Sequence, residues 1–182
     1  MLAMKNLGRA LVFVAAVMAC VWPAAAQQKR ISPHETISTV IDGNRVTVVY
    51  GRPYTKDPTS GAPRKIWGAL VPYGQVWRLG ADEATTLITQ KPLAFGDTTV
   101  PAGAYTLYML PQQDGTAKLI INKEIGQWGT HYDEKQDLAR IDLKKEPLEK
   151  SLDQLAIAVS KAGQLKIMWD DTQYSAAFTV QK

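Results

Sequence analysis

From residue 36 onward, apolar and polar residues alternate with a period of two, in short runs cut by turn-forming residues. A half-buried strand needs that period, because successive side chains point to opposite faces. Thr36 to Ile41 and Arg45 to Tyr50 flank Asp42-Gly43-Asn44, a hairpin signal. Arg52 to Arg64, with three prolines, a glycine and several charges, reads as an exposed excursion. Further strands are expected over Ala84 to Gln90, Pro92 to Phe95, Thr98 to Val100, Gly103 to Leu110 and Ala117 to Asn122. In Gly103 to Leu110, one face carries Tyr105, Leu107 and Met109, the other Thr106 and Tyr108. Leu138 to Leu143, Gln154 to Val159, Gln164 to Trp169 and Gln173 to Val180 complete the set, with a turn at Lys161-Ala162-Gly163. Only Asp133 to Asp137 suggests a helical turn. Nine or ten short strands without a long amphipathic helix predict an all-β fold. The expectation is a single antiparallel β-sandwich of jelly-roll type over residues 36–182, with a β-barrel as the alternative.

The first 26 residues carry a different message. Lys5 and Arg9 form a basic lead, Ala10 to Trp22 is an uncharged and mostly apolar run, and Pro23 breaks it before Ala24-Ala25-Ala26. This is the pattern of a secretory signal peptide cut after Ala26, and the run is too short to span a bilayer as a helix. A periplasmic or secreted address follows, with Gln27 as the new N-terminus, residues 27–35 as a leader and no transmembrane segment in what remains. The alternative is a lipoprotein acylated at Cys20, read from Val17-Met18-Ala19-Cys20. Met18 fits that pattern poorly.

Such a cut leaves 156 of 182 residues, one domain's worth. Cys20 is the one cysteine of the chain, so its loss removes disulfides and thiolate metal sites from consideration. Loss of Lys5 and Arg9 lowers the formal charge from +4 to +2, from 19 basic and 17 acidic residues. The charges are interspersed, with no Lys/Arg run longer than two, which excludes a nucleic-acid stripe.

The block from Ile66 to Thr85 is unusual. It places Trp67, Trp77, Tyr73, Arg78, Asp82 and Glu83 among three glycines between two strands, where Trp is ordinarily wasted in water. Five motifs carry a resemblance. They are Ser32-Pro33-His34-Glu35, Tyr50-Gly51-Arg52-Pro53, the run from Val71-Pro72-Tyr73-Gly74 through Val76-Trp77-Arg78 to Glu83-Ala84-Thr85, Pro101-Ala102-Gly103 with Tyr105, and Gly126-Gln127-Trp128-Gly129-Thr130 with Tyr132-Asp133. With these the chain resembles the exported bacterial family called domain of unknown function 2911, over nearly all of the part after the cut. The resemblance implies no activity. Lys56 to Pro63 looks longer than the family's usual loop and is expected to add a surface flap.

Polar groups in irregular segments form the candidate site: His34, Arg52, Arg78, Glu83, Tyr132 and Asp133. Loops meet at sandwich ends, so His34, Arg52, Arg78, Glu83 and Asp133 are expected together at one end, with Arg78 and Glu83 as an ion pair. Trp67, Trp77 and Trp128 are expected as an aromatic wall, unless they merely cap the core, while Trp169, within a strand, reads as plain core. The preferred function is a non-enzymatic binding or interaction domain of the cell envelope for a small molecule or glycan, with no cofactor. The alternative is an envelope hydrolase that uses the carboxylates of Glu83 and Asp133, or a metal held by His34, His131, Glu35 and Asp133. The chain has no G-x-S-x-G or S-x-x-K motif, which argues against a serine nucleophile. Oligomeric state is not legible.

Overall fold

A computed structural model describes residues 30–182. The signal segment, the cut after Ala26 and the acylation alternative at Cys20 lie outside these residues. Ten strands occur in the described part: β1 (His34–Ile41), β2 (Asn44–Gly51), β3 (Thr85–Thr89), β4 (Leu93–Phe95), β5 (Thr98–Val100), β6 (Gly103–Pro111), β7 (Ala117–Asn122), β8 (Asp137–Ser160), β9 (Gln164–Ala177) and β10 (Thr179–Val180). The fold is all-β. Seven strands form one antiparallel sheet in the order β1-β2-β3-β6-β7-β8-β9, and β10-β4-β5 forms a small second sheet. No helix of the described residues is long and apolar enough to cross a membrane.

The first hairpin shows how local sequence sets register. Asp42 (φ 49°) and Gly43 (φ 71°) both adopt positive φ, and Ile41 pairs with Asn44. Two positive-φ residues make the turn whose twist matches the flanking strands. Asn44, fully buried, then ties the hairpin to β3: its Nδ2 donates to Thr89 Oγ1 at 2.9 Å, and its Oδ1 accepts from the amides of Gln90 and Lys91.

The large sheet curls until its edge strand β1 meets β8. Thr39 Oγ1 of β1 donates to Val159 O of β8 at 2.8 Å. Beyond β2 the chain docks directly on β8, where Leu155 N donates to Pro53 O at 3.0 Å and Thr55 N to Asp153 O at 2.6 Å. The result is a half-barrel with the small sheet laid against it, a sandwich of unequal sheets. Val48, Leu107, Met109, Leu119, Ile121, Ile167 and Trp169 fill the interior, and Leu93, Phe95, Val100 and Phe178 join them from the small-sheet side. Fully burying one such side chain contributes roughly 1.5–3 kcal/mol.

Two features depart from the strand-by-strand expectation. Leu138–Leu143 and Gln154–Val159 belong to one 24-residue strand, β8, and Gln164–Trp169 runs on past Gln173 as β9. The alternation breaks in sequence because the β8–β9 register shifts twice, between Pro147 and Leu152 and between Leu152 and Ala156. Bulges absorb extra residues and bend a strand without ending it. The helical turn is a 3-10 turn over Glu134–Gln136.

Candidate functional site

Central strand β6 is buried on both faces from Tyr105 to Met109. Its inner face feeds the core. Its outer face is covered by the segment after β7, which buried polar groups hold down. Thr106 Oγ1 donates to Glu124 O at 2.6 Å, Tyr108 donates to His131 O at 2.6 Å, and Gln127 Nε2 donates to the Tyr108 hydroxyl at 3.1 Å. Past the end of β3, Trp77 takes the place beside β6, exchanging both backbone hydrogen bonds with Met109. The Trp-rich block is thereby folded over the end of the half-barrel.

Four segments meet there around one cleft of about 500 Å³: residues 31–32, the 53–64 excursion, the 70–82 block, and residues 129–132. Trp77, Tyr54 and Tyr132 supply its aromatic surface, with Trp169 stacked against Trp77 from the core, and Arg64, Arg78 and Asp82 supply its charges. That volume lies within the range of small-molecule pockets, roughly 300–1,000 Å³. The 53–64 excursion is a small hairpin, closed by Asp57 N to Ala62 O and Arg64 N to Thr55 O, with an exposed tip and a base that lines the cleft.

The expected ion pair between Arg78 and Glu83 is not formed. Glu83 pairs instead with Arg30 and stands 3.5 Å from His34 Nε2, and Arg78 Nε donates to Gly80 O at 3.2 Å. The physical reason is the backbone between them. Leu79 (φ 53°) and Asp82 (φ 64°) take left-handed conformations, and Glu83 bridges to Trp128 across the rim. Gly129 sits where an added Cβ would stand 2.6 Å from Arg78 Cδ and 2.8 Å from Asp82 O, so the two segments close on each other with no room for a side chain.

His34 joins the acidic rim, 3.2 Å from Asp82 Oδ2. Arg52 faces elsewhere, toward the seam of the half-barrel. Its Nε stands 3.3 Å from Glu35 Oε2 and donates to Leu155 O at 3.0 Å. Tyr50 completes that group. Its hydroxyl donates to Glu35 Oε2 at 2.6 Å and accepts from Ile157 N at 2.9 Å. Burial, reinforced by the Glu35 carboxylate, pushes the Tyr50 phenol up to about 12.

A second group of the same make-up fixes the other flank. Tyr132 donates to Asp137 Oδ2 at 2.7 Å, Arg140 reaches both Asp137 and the Tyr132 hydroxyl, and burial with the Asp137 bond pushes the Tyr132 phenol up to about 12. Asp133 does not point into the cleft group. Its Oδ1 accepts from Lys135 N at 3.0 Å and caps the 3-10 turn.

The aromatic wall differs from its sequence reading in two members. Trp67 is buried, edge-on to Trp77 with ring centroids 6.1 Å apart and 5.2 Å from Tyr174, so it is core. Trp128 is half exposed (52%) and lies outside the cleft lining. Trp169, read from sequence as plain core, is core: it is 1% exposed and lies nearly parallel to Trp77 at 5.8 Å, behind the cleft wall. Arg64 and Tyr54 were also missed, because a Pro-rich excursion reads as surface. The bulky Tyr54 and the Arg64 that ends the prolines were the available signal.

The four groups that the metal alternative would need are not gathered. His34 faces Asp82, Glu35 faces Tyr50 and Arg52, and Asp133 caps its own turn, while His131 is exposed. Among the described residues, no three His, Cys, Asp or Glu side chains are grouped to hold an ion.

Comparison with known families places this arrangement. The family described as "Protein of unknown function (DUF2911)" matches residues 32–178. The chain belongs to that family. No curated protein and no solved structure matches the chain. In this DUF2911 chain the match runs from Ser32, at the cleft edge, to Phe178, whose amide donates to Gly163 O. The whole half-barrel and the cleft segments, apart from Ile31, therefore fall within the family region.

Proposed function

We propose that the protein is an exported binding domain of the cell envelope that holds a small molecule or glycan in the cleft over Trp77 and Trp169. The observation that carries this reading is the cleft itself: about 500 Å³ at the junction of four segments, with aromatic faces and a few charged groups. Aromatic surface with sparse fixed polar groups is the usual make-up of a ligand pocket. The export half of the reading rests on the basic lead, apolar run and Ala24-Ala25-Ala26. The hydrolase alternative gains no support from geometry, because Asp133 is used as a cap and Glu83 is engaged by Arg30.

A thermal-shift screen against sugars, muropeptides and metals tests the binding half. A ligand at 100 times its Kd adds about 2.7 kcal/mol. For a domain of this size that is a rise of roughly 5–10 °C in Tm. The rise should vanish in Trp77→Ala. A hit whose shift survives Trp77→Ala and Tyr132→Ala together places binding elsewhere and contradicts the reading. N-terminal sequencing of the exported protein, with Gln27 expected, tests the other half.

A further inference from the structure

Charge is distributed unevenly around this end of the molecule. Among the described residues, every carboxylate–arginine contact within 4.0 Å involves Arg30, Arg52 or Arg140. The two arginines that line the cleft, Arg64 and Arg78, have no carboxylate at that distance, and residues 1–29 contain no Asp or Glu that could supply one. Among the described residues their side-chain hydrogen bonds go to carbonyls: Arg64 to Tyr54 O and Arg78 to Gly80 O. Asp57, near Arg64, accepts at Oδ1 from Thr59 N, Ser60 N and Ser60 Oγ instead. Asp82 is the acid of the cleft lining, and His34 stands against its Oδ2.

The cleft also has more hydrogen-bond donors than its own acceptors use. Arg64 Nε and the indole Nε1 of Trp169 are buried and make no hydrogen bond among the described residues. Trp169 is 1% exposed and belongs to the core behind Trp77, so Arg64, on the cleft wall, is the one of the two that a ligand can meet. A buried donor left unpaired is costly, and guanidinium forks match oxyanions in geometry as well as charge.

We propose that the cleft takes a small molecule bearing an oxyanion, carboxylate or phosphate, with the charged group at Arg78 and Arg64 and the remaining body against Trp77 and Tyr132. This rests on the binding reading above and names the ligand class of the same site. The ligand's oxygens supply the anionic acceptors that Arg64 and Arg78 lack among the described residues. Its body takes the aromatic faces, which suit a sugar ring or an apolar group equally.

The test follows indole N–H signals by two-dimensional NMR while the protein is titrated with galacturonate, galactose, inorganic phosphate or acetate. The expected result is a saturable shift of the Trp77 and Trp169 signals with at least one anion below about 10 mM, while Trp128 stays still. Galacturonate should bind at least tenfold tighter than galactose, phosphate should dominate instead if the natural group is a phosphate, and Arg78→Gln should weaken the best anion about tenfold, or 1.4 kcal/mol. Arg78→Lys should keep part of the affinity, and Arg64→Gln gives the same comparison if Arg78→Gln folds poorly. Equal binding of galactose and galacturonate, or affinity unchanged in both Gln variants, overturns the oxyanion while leaving the cleft reading intact. No saturable shift with any of the three anions overturns it as well, and the screen above then judges the cleft on its own.

Discussion

Arg52 and Arg78 both follow strand-like segments at the same end of the molecule, yet they are held in different ways. Arg52 stands against the Glu35 carboxylate and donates to the backbone of β8, closing the seam of the half-barrel together with Tyr50. Among the described residues Arg78 bonds only to a carbonyl two residues away, and it lines the cleft. Arg140 belongs with Arg52, bonded to Asp137, Glu134 and the Tyr132 hydroxyl. The comparison separates charge used to build the frame from charge left facing a cavity. A partner removed from the first set should cost stability, whereas a change in the second should cost binding.

The largest effect is expected where the frame is tightest. At Gly51 an added Cβ would stand 2.3 Å from Ala81 O, a backbone atom that cannot rotate away. Gly51→Ala should cost about 3 kcal/mol in urea unfolding. A loss under about 0.5 kcal/mol would show that the 79–81 loop yields easily and is no part of the frame. Next comes Tyr50→Phe, which removes the acceptor for the Ile157 amide and the bond to Glu35, and should cost about 1–3 kcal/mol.

A graded loss is expected in alkali. The phenols of Tyr50, Tyr132 and Tyr174 are all pushed up to about 12 from an ordinary value of 10.0, burial being the main cause at each. The folded state thus keeps these protons where the unfolded chain has lost them. The resulting stability is complete below pH 10 and disappears as pH rises from about 10 to about 12. Unfolding midpoints measured across that window should fall, less so in Tyr50→Phe relative to its own midpoint at neutral pH. The smallest effect is expected for Trp128→Ala. That side chain is half exposed and off the cleft, so stability should change by no more than about 0.5 kcal/mol, with ligand affinity unaltered.

Legibility in the sequence follows the range of the forces involved. The first hairpin could be read almost residue by residue, since Asp42-Gly43 favours positive φ locally and Val46, Val48 and Tyr50 alternate against exposed or half-exposed neighbours. The two long strands could not be, because a bulge interrupts the alternation without ending the pairing. In the candidate site, the sequence singled out Arg78, Trp77 and Tyr132, which line the cleft. It misjudged their partners, because pairing at the rim depends on left-handed turns at Leu79 and Asp82 and on the close approach of Gly129, all set by tertiary contact. Arg64 was hidden for the same reason: only the docking of residues 53–55 on β8 turns a Pro-rich excursion into a cleft wall.

The division between frame and cleft arginines is tested most directly by urea unfolding of Arg52→Ala and Arg78→Ala side by side at neutral pH. Arg52→Ala strips a part-buried carboxylate and the Leu155 carbonyl of their donor, and should lower the unfolding free energy by about 2 kcal/mol. Arg78→Ala gives up one short-range carbonyl bond and removes a charge that has no carboxylate of the described residues within 4.0 Å, and should change it by no more than about 0.5 kcal/mol. Equal losses, or a larger loss for Arg78→Ala, would mean that Arg78 belongs to the frame and would contradict the account.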